Sequence, residues 1–524
     1  MIILFRSMWV AVTAVVCIGV SATTAQEVTN TANTKNKTAA NPSAVYADFV
    51  HRFPSWTSTA ALDQLRASDF ARLDLTHQVY LDYTGGNLYA QRQLTQHQHD
   101  LQENVYGNPH SANPSSQAST DQVERTRNAI LDYFHAPHNE YEIIFTPNAS
   151  GALRLVGESY PFTTESRLLL STDNHNSVLG IGEFALADKA TVDYIPLQSN
   201  DLRFDTKALA EKLAQCRPDT RNLLAYPAQS NFSGVKHPLE IIEQAHAAGW
   251  DVLVDAAAFV PSNRLDLSRW KPDFVCISFY KMFGYPTGVG CLLVRKDSLE
   301  RMRRPWFAGG TVEVSSVVAR THVMRRDTAA FEDGTIDYLS IPAVAIGLHV
   351  IDEVGIDTIH TRVECLTGWL LETLPTLRHS NGAPLVKVHG PKDLTARGGT
   401  VSFTLLDVNG EVINVVVAGT LASKAGISLR TGGCFCNPGA GESAFGIQSA
   451  DIKAVLDACA KDSDMNVRDE MFQQHGIHVL RASFGWASNF ADAQALVEFL
   501  RGFINQSADQ IGRMPNVHRE PESP

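Results

Sequence analysis

The feature that most restricts the possible folds is a regular alternation of short apolar runs with helical patterns between about Gln78 and Val294. Such alternation is typical of a mostly parallel sheet covered by helices, because each parallel connection needs a crossover element. Strands are predicted at 79–81, 142–145, 167–170, 222–225, 252–254, 274–277 and 291–294. Helices are predicted at 122–134, 206–215 and 239–248. The fold class is therefore α/β, with a large, mostly parallel seven-stranded sheet.

A smaller α+β domain is predicted to follow the large one. A mainly helical stretch at 341–374 precedes several apolar runs and one further helix. The apolar runs lie at 400–404, 411–421 and 479–481, and the helix at 491–503. The predicted domains are a large domain at 76–340 and a small C-terminal domain at 341–507. The piece 461–474 is interpreted as a surface insertion, and 508–524 as a mobile tail.

The N-terminus has the pattern of a secretory signal peptide. Arg6 precedes an apolar run at 8–20, and small residues follow at 21–25. This run is short for a membrane span. We expect a signal-peptide-like segment at 1–25, then a disordered spacer and N-terminal arm at 26–75, and hence export or membrane anchoring. A true start codon further downstream would give the alternative, a cytoplasmic protein.

Charge and cysteine usage exclude some classes of function. The net charge of −12 is spread along the chain without a basic stripe, which argues against a nucleic-acid partner. The eight cysteines have uneven spacing that does not suggest a disulfide framework, and this favours a reducing compartment. The cysteines and the N-terminus therefore point to different compartments.

Lys281 and Asp255 each follow a short apolar strand. A lysine and an aspartate at the ends of neighbouring strands are the two groups that a pyridoxal phosphate enzyme needs. The lysine amine forms a Schiff base with the cofactor, and the aspartate keeps the pyridine nitrogen protonated. Because any α/β protein can place these residue types at strand ends, the pair needs support from its surroundings.

Further polar residues follow other predicted strands. The turn at 146–150 opens a helix, so its amide groups and the Ser150 hydroxyl suit a phosphate, while the alternative is a plain N-cap by Ser150. His175 can stack on a cofactor ring or be simply solvated. Asn231 can hydrogen-bond a ring hydroxyl or a substrate carboxylate, or it can belong to an ordinary turn. Their position at successive strand ends, where α/β proteins bind ligands, favours one common site.

The loop at 429–441 carries two thiols in a segment rich in glycine. Cys434 and Cys436 could bind a metal, but no second cysteine pair or His-x-His lies nearby, so no metal site is predicted. A mobile thiol near a pyridoxal phosphate site suits attack on a sulfur atom held by the cofactor. Arg430 and Arg481 are available to bind a substrate carboxylate, and the alternative for each is a surface ion pair.

These stretches together resemble the class V aminotransferase-fold enzymes, in particular the cysteine desulfurase group. Within that group the chain is most similar to the N-terminal desulfurase domain of molybdenum cofactor sulfurases. The resemblance spans roughly residues 75–505 and rests on the segments 79–86, 103–111, 278–290, 331–335, 430–441 and 479–488. It implies the aspartate aminotransferase-like fold of PLP-dependent transferases, with pyridoxal 5'-phosphate as cofactor and a homodimeric assembly.

Carried over residue by residue, the resemblance implies Lys281 as the Schiff-base lysine and Asp255 as the pyridinium partner. It implies His175 as the residue that stacks on the ring and helps move protons, and Cys436 as the persulfide carrier. The residues implied at the cofactor phosphate are Ala149, Ser150, Ser278 and Tyr280, with Thr311 reaching the phosphate of the partner subunit. Those implied at the amino-acid substrate are Asn231, Arg430 and Arg481.

The chain departs from the family pattern at several positions. Ala258 stands where cysteine desulfurases have a glutamine that contacts the ring hydroxyl, and Tyr280 replaces their histidine. One extra glycine precedes Cys434, which leaves the choice between Cys434 and Cys436 open. The chain ends soon after the small domain, whereas full-length sulfurases continue into a domain that binds the molybdenum cofactor, so the final sulfur acceptor stays open.

The function expected from the resemblance is release of sulfur from L-cysteine as a protein persulfide, with alanine left behind. Two alternatives remain at this point. One is another class V reaction on an amino acid, such as transamination, epimerisation or a lyase reaction. The other is a non-catalytic protein that keeps the fold, against which the presence of both Lys281 and Asp255 argues.

Overall fold

The computed structural model describes residues 42–109, 111–216, 220–462, 466–467 and 475–513. The sheets and the candidate site described below lie within residues 48–513, which belong to one compact unit of the chain. The predicted signal-peptide-like segment, the spacer up to residue 41, the tail beyond 513 and most of the predicted insertion lie outside the described residues. Over the described ranges, no helix has both the length and the apolar character needed to cross a membrane.

Strands and helices alternate through the first part of the chain, as the sequence predicts. The strands are β1 Val79–Tyr80, β2 Tyr141–Thr146, β3 Arg167–Ser171, β4 Thr191–Ile195, β5 Asn222–Pro227, β6 Asp251–Asp255, β7 Phe274–Ser278, β8 Gly290–Arg295, β9 Val312–Ser316, β10 Thr321–Met324, β11 Val386–His389, β12 Thr400–Leu405, β13 Ile427–Ser428, β14 Arg430–Gly432 and β15 Val479–Ser483.

Helices connect these strands and cover the small domain. The α-helices are Pro42–Arg52, Ala61–Asp69, Ala71–Leu75, Gln91–Glu103, Pro114–Tyr133, Ala149–Ser159, Asn176–Leu179, Ile181–Ala187, Thr206–Leu213, Ile241–Ala247, Phe279–Phe283, Lys296–Leu299, Pro342–Val354, Ile356–Thr373, Val415–Lys424, Pro438–Phe445, Ser449–Cys459, Phe490–Arg501 and Ala508–Gly512. Short 3-10 helices lie at Pro54–Thr59, Gly309–Thr311, Thr328–Phe331 and Leu374–Thr376.

The large sheet has the strand order β2-β8-β7-β6-β5-β3-β4. Its neighbours pair in parallel except β8, which runs antiparallel to β2 and to β7. Strands β5 and β7 are buried at every position, which explains why they read as continuous apolar runs. The helix Ala149–Ser159 packs on the sheet through Leu153 and Val156. The predicted mostly parallel, seven-stranded sheet is confirmed.

Two strand assignments from the sequence are wrong in detail. Residues 79–81 do not join the large sheet, because β1 pairs in parallel with β13 of the C-terminal part. The seventh strand is instead β4, which lies at the sheet edge and has only Ile195 fully buried. An edge strand that alternates polar and apolar residues lacks the continuous apolar run by which the central strands were recognised.

The small domain is built on the antiparallel sheet β11-β12-β15-β14. The predicted helical stretch at 341–374 is present as the two helices Pro342–Val354 and Ile356–Thr373. Most of the apolar run at 411–421 lies in the helix Val415–Lys424. Asn414 begins it by accepting hydrogen bonds from the amides of Val416 and Val417, and Val415, Ala418 and Ala422 are buried. Capping and helical spacing here outweigh the strand preference of valine.

Candidate active site

The carboxyl ends of β5, β6 and β7 meet at one edge of the large sheet. Asp255 ends β6 and pairs in register with Pro227 of β5 and Cys276 of β7. Lys281 lies in the short helix Phe279–Phe283 directly after β7. That helix ends at Gly284, where φ is +78° and an added Cβ would lie 2.4 Å from the Tyr89 amide nitrogen. Glycine at this position therefore lets the segment around Tyr89 cross the Lys281 helix closely.

A cavity of about 150 Å³ lies at this edge. It is lined by many of the predicted cofactor residues, namely Ala149, Ser150, His175, Asn231, Asp255, Ser278, Tyr280 and Lys281. Ala258 lines it as well, and so does Gln229 from the end of β5. The structure thus brings most of the predicted cofactor residues together around one cavity.

The Lys281 amine is half-buried at this cavity. Burial lowers its pKa, and the neighbouring cations Arg481 and Arg430 act in the same direction, while Asp255 and Cys436 oppose them. A lowered pKa increases the fraction of neutral amine near neutral pH. The amine is therefore prepared to act as a nucleophile or as a proton acceptor.

Asp255 is buried, and one of its carboxylate oxygens accepts a hydrogen bond of 3.0 Å from the Ala257 amide. The other oxygen makes no side-chain hydrogen bond within the described part of the chain. Because the residue also lines the cavity, this oxygen is available to a protonated ring nitrogen. The predicted position of Asp255 is thus consistent with the geometry.

His175 caps the short helix Asn176–Leu179. Its Nδ1 accepts a hydrogen bond of 3.1 Å from the Ser177 amide, which puts the proton of the neutral ring on Nε2. Burial lowers the pKa of His175; Asp255 opposes this, whereas Lys281 and Arg481 lower it further. The ring is therefore neutral around pH 7 and presents an N–H donor.

The helix Ala149–Ser159 begins at the cavity and is 11 residues long. Its N-cap is Asn148, whose side chain accepts from the Gly151 amide at 3.0 Å, so the alternative of an N-cap by Ser150 is wrong. The Ser150 hydroxyl instead bonds the Ser177 hydroxyl at 2.7 Å, and the Ala149 amide donates to the Ser278 hydroxyl at 2.8 Å. Hydroxyls and a helix N-terminus on one side of the cavity form a suitable phosphate site.

Arg430 and Arg481 lie directly opposite each other on β14 and β15. Arg481 is buried with 2% of its side chain exposed, whereas 49% of the Arg430 side chain is exposed. Burial lowers the pKa of Arg481 to about 10, although Asp82 raises it. Arg481 also donates a hydrogen bond of 2.9 Å to the Asn231 carbonyl oxygen, which connects it to the cavity. Neither arginine lines the cavity itself.

The loop with the two thiols is fixed to the cavity by its backbone. The Asn176 amide donates to the Cys436 carbonyl at 2.7 Å, and the Asn231 side-chain amide donates to the Phe435 carbonyl at 2.9 Å. Phe435 and Cys436 both have positive φ, +49° and +64°. Such non-glycine residues cost on the order of 1 kcal/mol each and persist where surrounding contacts hold them. Asn231 is thus engaged with the loop as well as placed at the cavity.

The two thiols have different environments. Cys436 is exposed, whereas burial together with Glu442 and Cys436 raises the pKa of Cys434 to about 11. A thiol with a raised pKa is protonated near neutral pH and is a poor nucleophile. The geometry therefore favours Cys436 over Cys434 as the reactive group.

Thr311 does not lie with the other predicted residues. It is fully buried at the end of the 3-10 helix Gly309–Thr311, directly before β9, and its hydroxyl oxygen accepts a hydrogen bond of 2.9 Å from the Ala308 amide. It is absent from the lining of the cavity. Contact between Thr311 and a partner's phosphate stays a prediction; the hydroxyl accepts from the Ala308 amide, so its own O–H is still available to donate.

Sequence reasoning missed several residues that shape the site. Asn437 follows Cys436 directly, lines the cavity and donates to the Asp173 carbonyl oxygen at 2.6 Å. The Asp173 carboxylate is buried and bonds His237 at 2.9 Å and Ser230 at 2.8 Å. Asn437 could have been found from its place in the thiol loop. The Asp173–His237 pair could not, because nothing local in the sequence connects the two residues.

No other centre competes with this site in the described part of the chain. A larger cavity of about 400 Å³ lies beside the helix Ala149–Ser159, lined by residues such as Arg154, Phe331 and Thr335, but none of the predicted site residues faces it. Among the described residues, no group of three or more His, Cys, Asp or Glu side chains could hold a metal ion.

Residues 79–496 match the aminotransferase class-V family. The chain belongs to this family. It is 37% identical over 467 residues to molybdenum cofactor sulfurase of Bos taurus, and 35% identical over 509 residues to that of Solanum lycopersicum. These matches cover 84% and 89% of this chain but only 51% and 61% of the two relatives. The chain thus spans little more than half the length of the curated relatives it matches.

Solved structures with the same fold include the apo cysteine desulfurase of Thermococcus onnurineus NA1. The TM-score is 0.68 at 21% identity, over 84% of this chain and 98% of that one. The cysteine desulfurase CsdA of Escherichia coli, in an S-sulfonic acid form, has a TM-score of 0.63 at 21% identity, over 84% and 97%. The predicted fold is therefore confirmed.

Membership of the class-V family identifies pyridoxal phosphate as the cofactor, and the cavity residues fit it. Lys281 supplies an amine, Asp255 a free carboxylate oxygen, and the start of the helix Ala149–Ser159 a phosphate site. Two buried amide oxygens of cavity residues, Asn231 Oδ1 and Asn437 Oδ1, have no hydrogen-bond partner among the described atoms. Unpaired buried polar atoms at a cavity are expected where a polar ligand completes the site.

Proposed function

We propose that the protein is a cysteine desulfurase that moves sulfur from L-cysteine onto Cys436 and releases alanine. The observation that carries the proposal is the attachment of the Cys436 loop to the cofactor cavity. The loop carbonyls of Phe435 and Cys436 accept hydrogen bonds from Asn231 and Asn176, which flank the cavity. An exposed thiol is thereby held beside an amine and a cofactor site. The names of the relatives, which are sulfurases and desulfurases, agree with such a reaction.

Each step of the proposed reaction is assigned to a residue of the candidate site. Bound pyridoxal phosphate supplies an electron sink for negative charge at the α-carbon of the amino acid. Lys281, whose pKa is lowered, takes the α-proton and returns a proton to the product. Arg481 and Arg430 bind the substrate carboxylate. The Cys436 thiolate attacks the substrate sulfur, so that a sulfur–sulfur bond forms while the bond from sulfur to the β-carbon breaks.

This reaction balances without any further reactant. L-Cysteine and one enzyme thiol are consumed, and L-alanine and one enzyme persulfide are produced, with the thiol proton retained in the products. Cys436 must then pass its outer sulfur to an acceptor before it can react again. We infer that this acceptor is a separate thiol or sulfur-accepting molecule that reaches the exposed Cys436 side chain.

The test is to incubate the purified holoprotein with L-cysteine and to measure alanine and protein-bound persulfide together. We expect both in equal amounts in the first turnover. Cys436→Ala should lose the persulfide, whereas Cys434→Ala is the matched control and should retain it. If a double variant lacking both thiols still converts an amino acid at the full rate, another class V reaction is the better assignment.

A homodimer is also part of the proposal. The hairpin β9–β10, which follows Thr311, exposes four valines at 49% or more of their surface: Val314, Val317, Val318 and Val323. Trp306 and Phe307 nearby are also exposed. A cluster of exposed apolar side chains favours burial against another protein surface. Light scattering on the purified protein should give twice the chain mass, and a strict monomer would contradict this part of the proposal.

A further inference from the structure

Two arginines face each other across neighbouring strands of the small domain. Arg430 of β14 and Arg481 of β15 are paired in register, so their side chains lie on the same face. Like charges directly opposite each other on antiparallel strands repel. An arrangement with two such cations, one of them buried, therefore needs a compensating negative charge.

Asp82 supplies that charge. Its Oδ2 lies 2.6 Å from Arg430 Nη2, and its Oδ1 lies 3.2 Å from Arg481 Nη2. One carboxylate thus bonds both guanidinium groups, each through a different oxygen. The Asp82 side chain is 14% exposed, so solvent screens these contacts only in part.

The backbone around Asp82 is built to hold the carboxylate in this place. Residue 82 forms a parallel bridge with Ser483 of β15, and the Ser483 amide donates to the Leu81 carbonyl at 2.7 Å. The amides of Gly85 and Gly86 then fold back onto the Asp82 carbonyl at 2.9 and 3.2 Å. An added Cβ at Gly85 would lie 2.2 Å from Arg430 Nη2 and 2.6 Å from Asp82 Oδ2, so a side chain there would separate the ion pair.

The same segment continues to the lysine helix. The Asn87 amide donates to the Tyr280 carbonyl at 3.1 Å, and the Asn87 side chain donates to the Met282 carbonyl at 2.6 Å. Residues 82–87 therefore connect the arginine pair of the small domain to the helix that carries Lys281. A shift of Asp82 would change the position of both arginines relative to the lysine.

The arginine pair keeps hydrogen-bonding capacity after these contacts are made. Arg481 Nε is buried and has no partner among the described residues. The Arg430 side chain is half exposed. Two cations bridged by one internal carboxylate leave one net positive charge, which matches a single carboxylate of an incoming ligand.

We propose that Asp82 is a positioning residue that holds Arg430 and Arg481 side by side as a receptor for one substrate carboxylate. This inference rests on the proposed function, because it takes the arginine pair as the place where the amino acid binds. It assigns to the site a ligand with one carboxylate near the amino group. The effect of Asp82 is then confined to ligands that carry this carboxylate.

The experiment compares L-alanine with ethylamine, which has the same amine but no carboxylate. Each is titrated into the holoprotein while the visible absorbance of bound pyridoxal phosphate is followed. We expect the wild type to bind L-alanine at least about ten-fold more tightly than ethylamine. In Asp82→Asn, the affinity for L-alanine should fall about ten-fold while the affinity for ethylamine is unchanged. Asp357→Asn, which removes the carboxylate from an exposed pair with Arg264, is the control and should change neither.

A second variant keeps the proposal testable if Asp82→Asn does not fold. Asp82→Glu keeps the charge but moves it outward by one methylene. It should lower the affinity for L-alanine about three-fold and leave the affinity for ethylamine unchanged. Equal weakening of both ligands in either variant would show a merely structural role, and an unchanged preference for L-alanine would exclude the proposal. Neither titration uses sulfur chemistry, so failure of the proposed function would appear separately, as absence of persulfide with L-cysteine.

Discussion

The two halves of the candidate site are held in different ways. The large-domain half, with Asp255, Ser278 and Lys281, lies at the ends of buried parallel strands. The small-domain half consists of an exposed thiol on a loop with two positive-φ residues, and an arginine pair that depends on Asp82. The first half provides chemistry that any amino acid could undergo. In the proposed function, the second half provides the groups that bind the substrate carboxylate and accept the sulfur.

The largest effect is expected from removing the Lys281 amine of the large-domain half. Lys281→Ala should lower alanine formation about 1,000-fold or more, because the variant loses the covalent attachment of the cofactor and the proton acceptor together. Alanine release from L-cysteine and the visible absorbance of the protein are the measurements. Lys296→Ala, at a partly exposed position after β8 that pairs with Glu142 away from the cavity, is the matched control and should behave as wild type. Retained activity in Lys281→Ala would overturn the division between the two halves.

A second variant of the large-domain half should separate cofactor binding from catalytic turnover. Asp255→Asn is expected to keep the cofactor but to lower turnover about 100-fold, because it removes the negative charge beside the ring nitrogen. The cofactor content should be measured by absorbance and the turnover by alanine release. Loss of the cofactor without any change in turnover per bound cofactor would assign Asp255 to binding alone.

Acid should affect the small-domain half through His389 on β11. Burial, helped by Lys387, lowers the pKa of His389 to about 4. Below about pH 6.5 the His389 side chain binds a proton in the unfolded chain but stays neutral in the native protein. The free energy of unfolding therefore falls as the pH decreases from 6.5 towards 4. Between pH 7 and pH 5 this amounts to about 2 kcal/mol.

The measurement is urea unfolding at those two pH values, followed for wild type and His389→Gln. The variant should lose about 2 kcal/mol less than the wild type on acidification. His389 bonds the Thr404 hydroxyl at 2.9 Å, and glutamine can keep a hydrogen bond there. An identical pH dependence in both proteins would show that His389 is not the group responsible.

The smallest effect is expected from loosening the thiol loop. Asn231→Ala removes the hydrogen bond to the Phe435 carbonyl, which stabilises the attached loop by about 1 kcal/mol. The equilibrium between attached and detached loop should therefore shift about five-fold towards the detached form. Cys436 should react faster with a soluble alkylating agent, while persulfide formation slows. If both rates fall together, the main contribution of Asn231 is to the cavity and not to the loop.

The difference between the halves also explains what the sequence could predict. Asp255 and Lys281 were identifiable because buried parallel strands read as apolar runs and their ends fall at one edge of the sheet. The arginine pair was only partly identifiable. Its partner Asp82 is 399 residues away from Arg481 along the chain, and only the folded structure brings them together.

Three assignments failed for local physical reasons. Strand β4 was missed because it is an edge strand with little burial. Strand β1 was placed in the wrong sheet because a two-residue strand carries no pattern that identifies its partner, which is β13. Ser150 was weighed as the cap of the helix Ala149–Ser159, where Asn148 in fact performs this role. Asparagine and serine are nearly equal as N-caps, so the sequence did not distinguish them.

The most direct test of the account is to follow labelled sulfur from L-cysteine into the protein. The holoprotein would be mixed with L-cysteine carrying an isotopic sulfur label, blocked with an alkylating agent and digested for peptide mass spectrometry. We predict one labelled sulfur on Cys436, none on Cys434, and none on either thiol in Lys281→Ala. Label on Cys434 alone, or no label in a protein that still forms alanine, would contradict the assignment of Cys436 as the sulfur carrier.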